Sequence, residues 1–210
     1  MSAIRLGTRA STLATTQSEM VAGLLRSEGL DVNLTTITTH GDTSTASLAA
    51  MGGIGVFASA IRAALLEGEA DIAVHSFKDL PTGRPLGLAI GAVPARADPR
   101  DALVARDGLT LHDLPQEASV GTGSPRRAAQ LLAVRPDLTI VDIRGNVDTR
   151  LGRVKGLGRY AKNGGKEDLD AVVLAASGLA RLGHSGAVTE FLDPCLLYTS
   201  DAADDLLCVD

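Results

Sequence analysis

Apolar and polar positions alternate along the chain in two registers, one of period two and one near three and a half, and the two take turns. Ile4 to Leu6 is a short apolar run ending at Gly7. Ser11 or Thr12 then caps a predicted helix whose apolar face includes Leu13, Met20, Val21, Leu24 and Leu25, and Gly29 ends it. Val32 to Thr38 alternates and is rich in β-branched residues, which predicts a strand. A helical stretch from Phe57 to Glu67 stops at Gly68, and Asp71 to His75 and Leu88 to Val93 read as further strands. Strands interleaved with helices imply βαβ units and a largely parallel sheet.

A second cycle follows the Pro- and Asp-rich stretch Val93 to Asp101. Ala102 to Ala105, Ser119 to Gly121, Leu138 to Ile143 and Ala171 to Ala175 read as strands. Ser124 followed by Pro125 opens a helix that runs to about Val134, and Val147 to Lys155 and Gly178 to Leu182 read as two more. The expected architecture is therefore α/β, with two lobes of mixed, largely parallel sheet and flanking helices. Residues 1–96 form the first lobe, residues 97–194 the second, and residues 195–210 a tail that completes neither sheet.

Charge sharpens this picture when it is followed along the chain. The total is 20 basic against 25 acidic residues, a net of −5, but the tail holds Asp201, Asp204, Asp205 and Asp210 with no base. A local positive surplus lies between Arg126 and Arg181. An acidic chain with five aromatic residues, whose arginines sit at turns, is a poor nucleic-acid binder. No apolar run reaches the roughly 18 residues of a membrane span and no leader pattern is visible, so a cytoplasmic protein is expected. Cys195 and Cys208 match no zinc spacing and no disulfide framework. His40, His75, His112 and His184 show no metal spacing, so no metal is expected. The Gly52, Gly53, Ile54, Gly55 run follows no clear strand and reads as a connector.

In an open parallel sheet, ligands collect where strands end. Three such ends carry chemistry. After Asp71 to His75 come Ser76, Lys78 and Asp79, a hydroxyl, an ammonium and a carboxylate within four residues; the plain alternative is a surface loop whose Lys78 and Asp79 pair contributes under about 1 kcal/mol. After Ser119 to Gly121 come Thr122, Ser124, Arg126 and Arg127, in which free backbone N–H groups, hydroxyls and guanidinium groups all favour an anion. After the strand ending at Ile143 comes Arg144, with Arg150 one turn into the next helix and Arg181 on the last one. Several arginines at the strand ends of one lobe suggest a site for a polycarboxylate or polyphosphate.

Seven strings then become specific together: RLGTRAS at 5–11, THGD at 39–42, DIAVHSFKDLP at 71–81, DPRDALV at 98–104, GTGSPRR at 121–127, IRGNVDTRL at 143–151 and LAASGLARLG at 174–183. In this order and spacing the chain resembles the porphobilinogen deaminase family over residues 3–194. The resemblance implies a bilobal fold similar to type II periplasmic binding proteins, with the active site in the cleft between lobes. It implies condensation of four porphobilinogen molecules with loss of ammonia, on a covalent dipyrromethane primer, by a monomer. Each pyrrole carries an acetate and a propionate. By motif position Arg9, Arg126, Arg127, Arg144, Arg150 and Arg181 would bind those carboxylates, with Ser76, Lys78, Thr122 and Ser124 as further donors and Gln17 a weaker candidate. Asp79 matches the family's catalytic acid.

The chain departs from the family pattern at Ala50 and Ile54, where many members carry lysines, and at His40, where an arginine is common. The motif resemblance ends at Pro194, so the third domain with its primer-bearing cysteine is expected to be absent, and neither Cys195 nor Cys208 has a matching context. A sheet edge left open in the first lobe would lower its stability. A non-catalytic two-lobed module for a small organic acid is the alternative from another function class.

Overall fold

A computed structural model of the chain describes residues 2–38, 58–83 and 85–194. The features expected at His40, Ala50, Gly52 to Gly55, Cys195 and Cys208 lie outside these residues. The chain divides into two compact units, one within Met1–Ala95 and one within Arg96–Thr199.

In the first unit, β1 (Ile4–Thr8) is paired on one side with β2 (Val32–Thr36) and on the other with β3 (Ile72–Ala73), all parallel. Helix α1 (Thr12–Ser27) begins where the Ser11 hydroxyl accepts the Ala14 N–H at 3.4 Å. Gly29, at φ 82°, lets the chain turn back after it. Helix α2 (Ser59–Leu66) buries Ile61 and Ala64. The core is small and centres on Leu6, Ala22 and Val32.

Two expectations fail here. Met20 and Leu24 are 56% and 61% exposed, not part of the buried face of α1. The sheet instead receives the face with Ser18 and Ala22, whose short side chains allow close approach, and the Ser18 hydroxyl donates to Thr8 Oγ1 at 2.8 Å. On a helix, residues two positions either side of Ala22 point away from it. Leu88 to Val93 forms no strand: no described strand pairs with it, and Ile90 and Val93 are exposed. An apolar run makes a strand only where it finds a partner ladder, and here it holds just two β-branched residues, Ile90 and Val93.

The second unit holds five strands in the order β6-β5-β7-β4-β8. They are β4 (Asp101–Ala105), β5 (Ser119–Gly121), β6 (Thr139–Val141), β7 (Ala171–Ala175) and β8 (Glu190–Phe191). Helices α3 (Pro125–Val134), α4 (Val147–Leu151) and α5 (Ala176–Arg181) complete it. Strand β5 runs parallel to β6 and β7, whereas β4 is antiparallel to β7 and β8. The antiparallel β4 follows an irregular segment rather than a crossover helix, so nothing fixes it parallel. Helix α4 is also shorter than the periodicity predicts, ending at Leu151 with Gly152 as its cap.

Side chains leave the sheet alternately to two apolar layers. Leu103, Val120 and Val173 enter one with Leu131, and Val104, Val172 and Leu174 enter the other with Ile143, Leu151 and Leu179. Every residue of β4 is buried, as a central strand covered on both faces requires. Among the described residues no helix is long and apolar enough to cross a membrane.

Asp170, just before β7, ties the strand starts together. Its carboxylate accepts from Arg106 Nε at 2.8 Å, Lys155 Nζ at 2.8 Å, and the backbone N–H and hydroxyl of Ser119 at 2.9 and 2.8 Å. Burial pushes this carboxyl up, but the bonds from Lys155, Ser119 and Arg106 outweigh it and hold it well below the usual range. Asp137, bonded to Arg135, and Asp71, bonded to Arg5, lie at about 2. Carboxyls depressed on folding contribute stability that is complete above their unfolded pKa near 4 and is lost as pH falls through the folded values. The ellipticity of the chain is therefore expected to be steady above about pH 5 and to fall steeply between about pH 4 and 2. Asp170→Ala leaves Lys155 and the Ser119 N–H without this acceptor and Arg106 with Asp107 alone, and is expected to cost about 1–3 kcal/mol, read as a lower urea midpoint with unchanged slope.

Candidate functional site

The parallel register brings strand ends to a common edge in each unit. In the first, Leu6 pairs with Ile72 and Gly7 with Ala73, so Arg9 after β1 and Ser76 to Asp79 after β3 leave from the same edge of the sheet. Residues 77–79 form a single 3₁₀ turn in which the Asp79 N–H donates to the Ser76 carbonyl at 2.9 Å. Gln17 of α1 donates through Nε2 to the Ser76 hydroxyl at 3.1 Å, fixing its rotamer. Lys78 is exposed, while Ser76 and Asp79 are half-buried.

His75, unassigned by its spacing, belongs to this group. Burial pushes its imidazole below the ordinary value; Asp79 opposes the shift, and Arg62 and Arg9 add to it. His75 is thus within reach of the charges of Asp79, Arg62 and Arg9. The helix position of Arg62 gave no signal in the sequence.

In the second unit, β5 pairs in register with β6 and β7, so Thr122 to Arg127, Arg144 to Arg150 and α5 all begin at one edge. Strand β4 starts at that edge too, because Asp101 lies opposite Ala175. Ser124 caps α3 by accepting the Arg127 N–H at 3.4 Å, with Pro125 at the first helical position. Asn146 caps α4 by accepting the Thr149 N–H at 2.8 Å. Thr122 is buried, and its hydroxyl accepts the Ser124 N–H at 3.3 Å.

Asp101 is a residue that the sequence reading missed. It is 1% exposed and grips Arg127 with both oxygens, Nε to Oδ2 at 2.9 Å and Nη2 to Oδ1 at 2.6 Å. Arg126 approaches the same Oδ2 at 3.4 Å and donates to Gln130 Oε1 at 2.7 Å. The available signal was an acid opening the otherwise apolar strand DALVA.

The other arginines of this edge are short of counter-charge. Arg144 Nη1 is buried and has no hydrogen-bond partner among the described residues. Arg150 donates Nε to the Gly145 carbonyl at 2.9 Å, and its guanidinium lies below its ordinary pKa because it is desolvated and repelled by Arg127 and Arg144, with Asp142 opposing. Desolvation likewise lowers Arg181. Buried donors are normally paired, and like charges are not gathered in low dielectric without reason. A polyanion with carboxylates for Arg144 and Arg150 would satisfy both demands at once.

Gly123 makes this arrangement possible. A Cβ there would lie 2.6 Å from the Ile143 carbonyl oxygen, the residue before Arg144. Gly123→Ala is expected to push the two strand-end loops apart and weaken binding of a polycarboxylate about tenfold or more, measured by calorimetry, with a stability loss of about 1–3 kcal/mol. Among the described residues no cluster of His, Cys, Asp and Glu is arranged to hold a metal.

The family model described as "Porphobilinogen deaminase, dipyromethane cofactor binding domain" matches residues 4–208, a span that runs past Pro194. A porphobilinogen deaminase of Cutibacterium acnes is 96% identical over 202 residues, which cover 96% of this chain and 60% of that protein. Porphobilinogen deaminases of Leifsonia xyli and Micrococcus luteus are 60% and 59% identical, over 94% and 92% of this chain and 57% and 53% of theirs. The chain thus spans between about half and three fifths of the length of these curated relatives. All three bear the name of an enzyme and none that of a binding module.

Proposed function

Because the chain belongs to the porphobilinogen deaminase family and matches its dipyrromethane cofactor-binding domain, we propose that it holds a dipyrromethane by its carboxylates and serves the ammonia-releasing condensation of porphobilinogen. The observation that carries this reading is Arg144 Nη1, a buried donor without a partner among the described residues, beside the desolvated Arg150. Acetate and propionate groups are the right acceptors for such donors: planar, bidentate and anionic.

When bound, the dipyrromethane supplies the pyrrole end to which substrate is added. This chain's own residues do the rest. Arg144 and Arg150 take carboxylates, Arg181 and Arg126 add charge, and Thr122 and Ser124 lie on the loop that opens α3. Arg127, gripped by Asp101, keeps that loop in place and raises the local potential. In the first unit Asp79 helps ammonia leave by proton transfer, stabilises the positive charge that develops, and accepts the proton lost when the next ring adds. Arg9, Lys78 and Ser76 bind substrate carboxylates there, with Gln17 fixing Ser76. The same reading takes the chain to act in the cytoplasm, as a monomer and away from nucleic acid, in line with its net charge of −5.

Calorimetric titration of this chain with a synthetic dipyrromethane bearing acetate and propionate, beside its methyl ester, tests the reading. The free acid is expected to bind and the ester not; equal binding of the two, or of neither, overturns it.

A further inference from the structure

Arg150 and Arg181 sit on helices too short to hold their own shape. Helix α4 has five residues and α5 six, whereas isolated helices below about 12 residues are marginal. Besides the apolar layer that Leu151 and Leu179 share, they are tied by a side-chain bond that the carboxylate site does not account for. His184 Nε2 and Asp148 Oδ1 are 2.6 Å apart.

The placement of the two partners is what gives the bond its reach. Asp148 lies in the first turn of α4, two residues before Arg150. His184 closes α5: its N–H donates to the Leu179 carbonyl at 2.8 Å and the Gly183 N–H to Ala180 at 3.1 Å, three residues after Arg181. The imidazole is itself braced. Tyr160, from the turn Gly158–Tyr160, meets it edge-on at 5.0 Å between ring centres, and Arg159 lies over the Tyr160 ring at 5.0 Å. Only 22% of the His184 side chain is exposed, so the bond is largely shielded from competing water.

We propose that the Asp148–His184 bond is a positioning link: by joining the helix of Arg150 to the end of the helix of Arg181, it holds both guanidinium groups in place for a polycarboxylate ligand. The inference rests on the carboxylate-binding reading above and adds a pair of residues that would touch no ligand themselves. Their contribution is to remove freedom from two guanidinium groups before binding, so that less is lost when the ligand is gripped.

The test is made on the whole chain with the synthetic dipyrromethane tetracarboxylate as probe, its affinity read by calorimetry and its folded fraction by circular dichroism. His184→Ala and Asp148→Ala are each expected to weaken binding about tenfold, and the double variant no further than either single one. His184→Gln, whose amide can still donate to Asp148, is expected to stay within about threefold of the parent. A residue with a merely structural role would lower the melting temperature and leave the affinity of the folded fraction alone. Single variants that bind within about twofold of the parent, or effects that simply add in the double variant, overturn the link. If the alanine variants do not fold, His184→Gln against His184→Leu decides: tight and weak binding respectively support the link, and equal binding overturns it. Arg144→Leu, run in parallel, separates the two levels. If it binds like the parent the carboxylate reading fails and the link with it; if it loses binding while His184→Ala does not, the link alone fails.

Discussion

Replacing Arg144 by leucine is expected to destroy dipyrromethane binding and, at the same time, to make the second unit more stable. The two effects have one cause. Arg144 Nη1 is buried with no acceptor among the described residues, and an unsatisfied buried donor costs about 1–3 kcal/mol. Leucine removes that donor and one of the charges that repel Arg150. A gain of about 1–2 kcal/mol, a few degrees in melting temperature, follows. Binding moves the other way. A guanidinium fork on a carboxylate makes two charge-assisted bonds, and losing about 3 kcal/mol is roughly a hundredfold in affinity. Arg144→Lys separates charge from shape: it keeps the cation but not the planar fork, so an intermediate affinity is expected. A leucine variant that is destabilised and binds normally would mean that Arg144 is a structural residue.

Asp79→Asn should show the opposite division, with binding intact and chemistry lost. The substitution keeps shape, and the bond that defines its turn, from the Asp79 N–H to the Ser76 carbonyl, is made by backbone. Asparagine cannot carry a proton between substrate and solvent, nor offset a developing positive charge. In a full-length chain of the family carrying these residues, turnover is expected to fall about a thousandfold at unchanged affinity for the tetracarboxylate. Stopped-flow assay of ammonia release checks this; a rate within about threefold of the parent removes Asp79 from the mechanism.

The contrast between these variants reflects how differently the two kinds of residue are written in the sequence. The placement of Asp79, Arg144 and Arg150 beyond the ends of short strands was legible, because strand ends are where an α/β sheet collects ligands. The two helix caps were legible for a local reason: Ser11 and Ser124 each precede an apolar-periodic stretch, and both cap as expected. Asp101 was not legible, since its significance comes from the antiparallel course of β4, which sets it against α3. Local pattern predicts a strand but not its direction. Met20 and Leu24 misled for a related reason. Apolarity marks a face that could be buried, and the sheet accepted the face of Ser18 and Ala22 instead. His184 and Asp148 are far apart in sequence, and nothing near either announces their bond.

The unequal construction of the two sheets has a consequence for how the chain breathes. Strand β4 is buried along its whole length and bonded on both sides, with an apolar layer on each face. Strand β3 is two residues long and, among the described residues, lies at the margin of a three-stranded sheet. In deuterated solvent the amides of β4 and β7 should therefore exchange only when the second unit unfolds as a whole, whereas those of β3 exchange through small local openings orders of magnitude sooner. Asp79 then lies six residues beyond a fast-exchanging strand, and Arg181 six residues beyond a slow one.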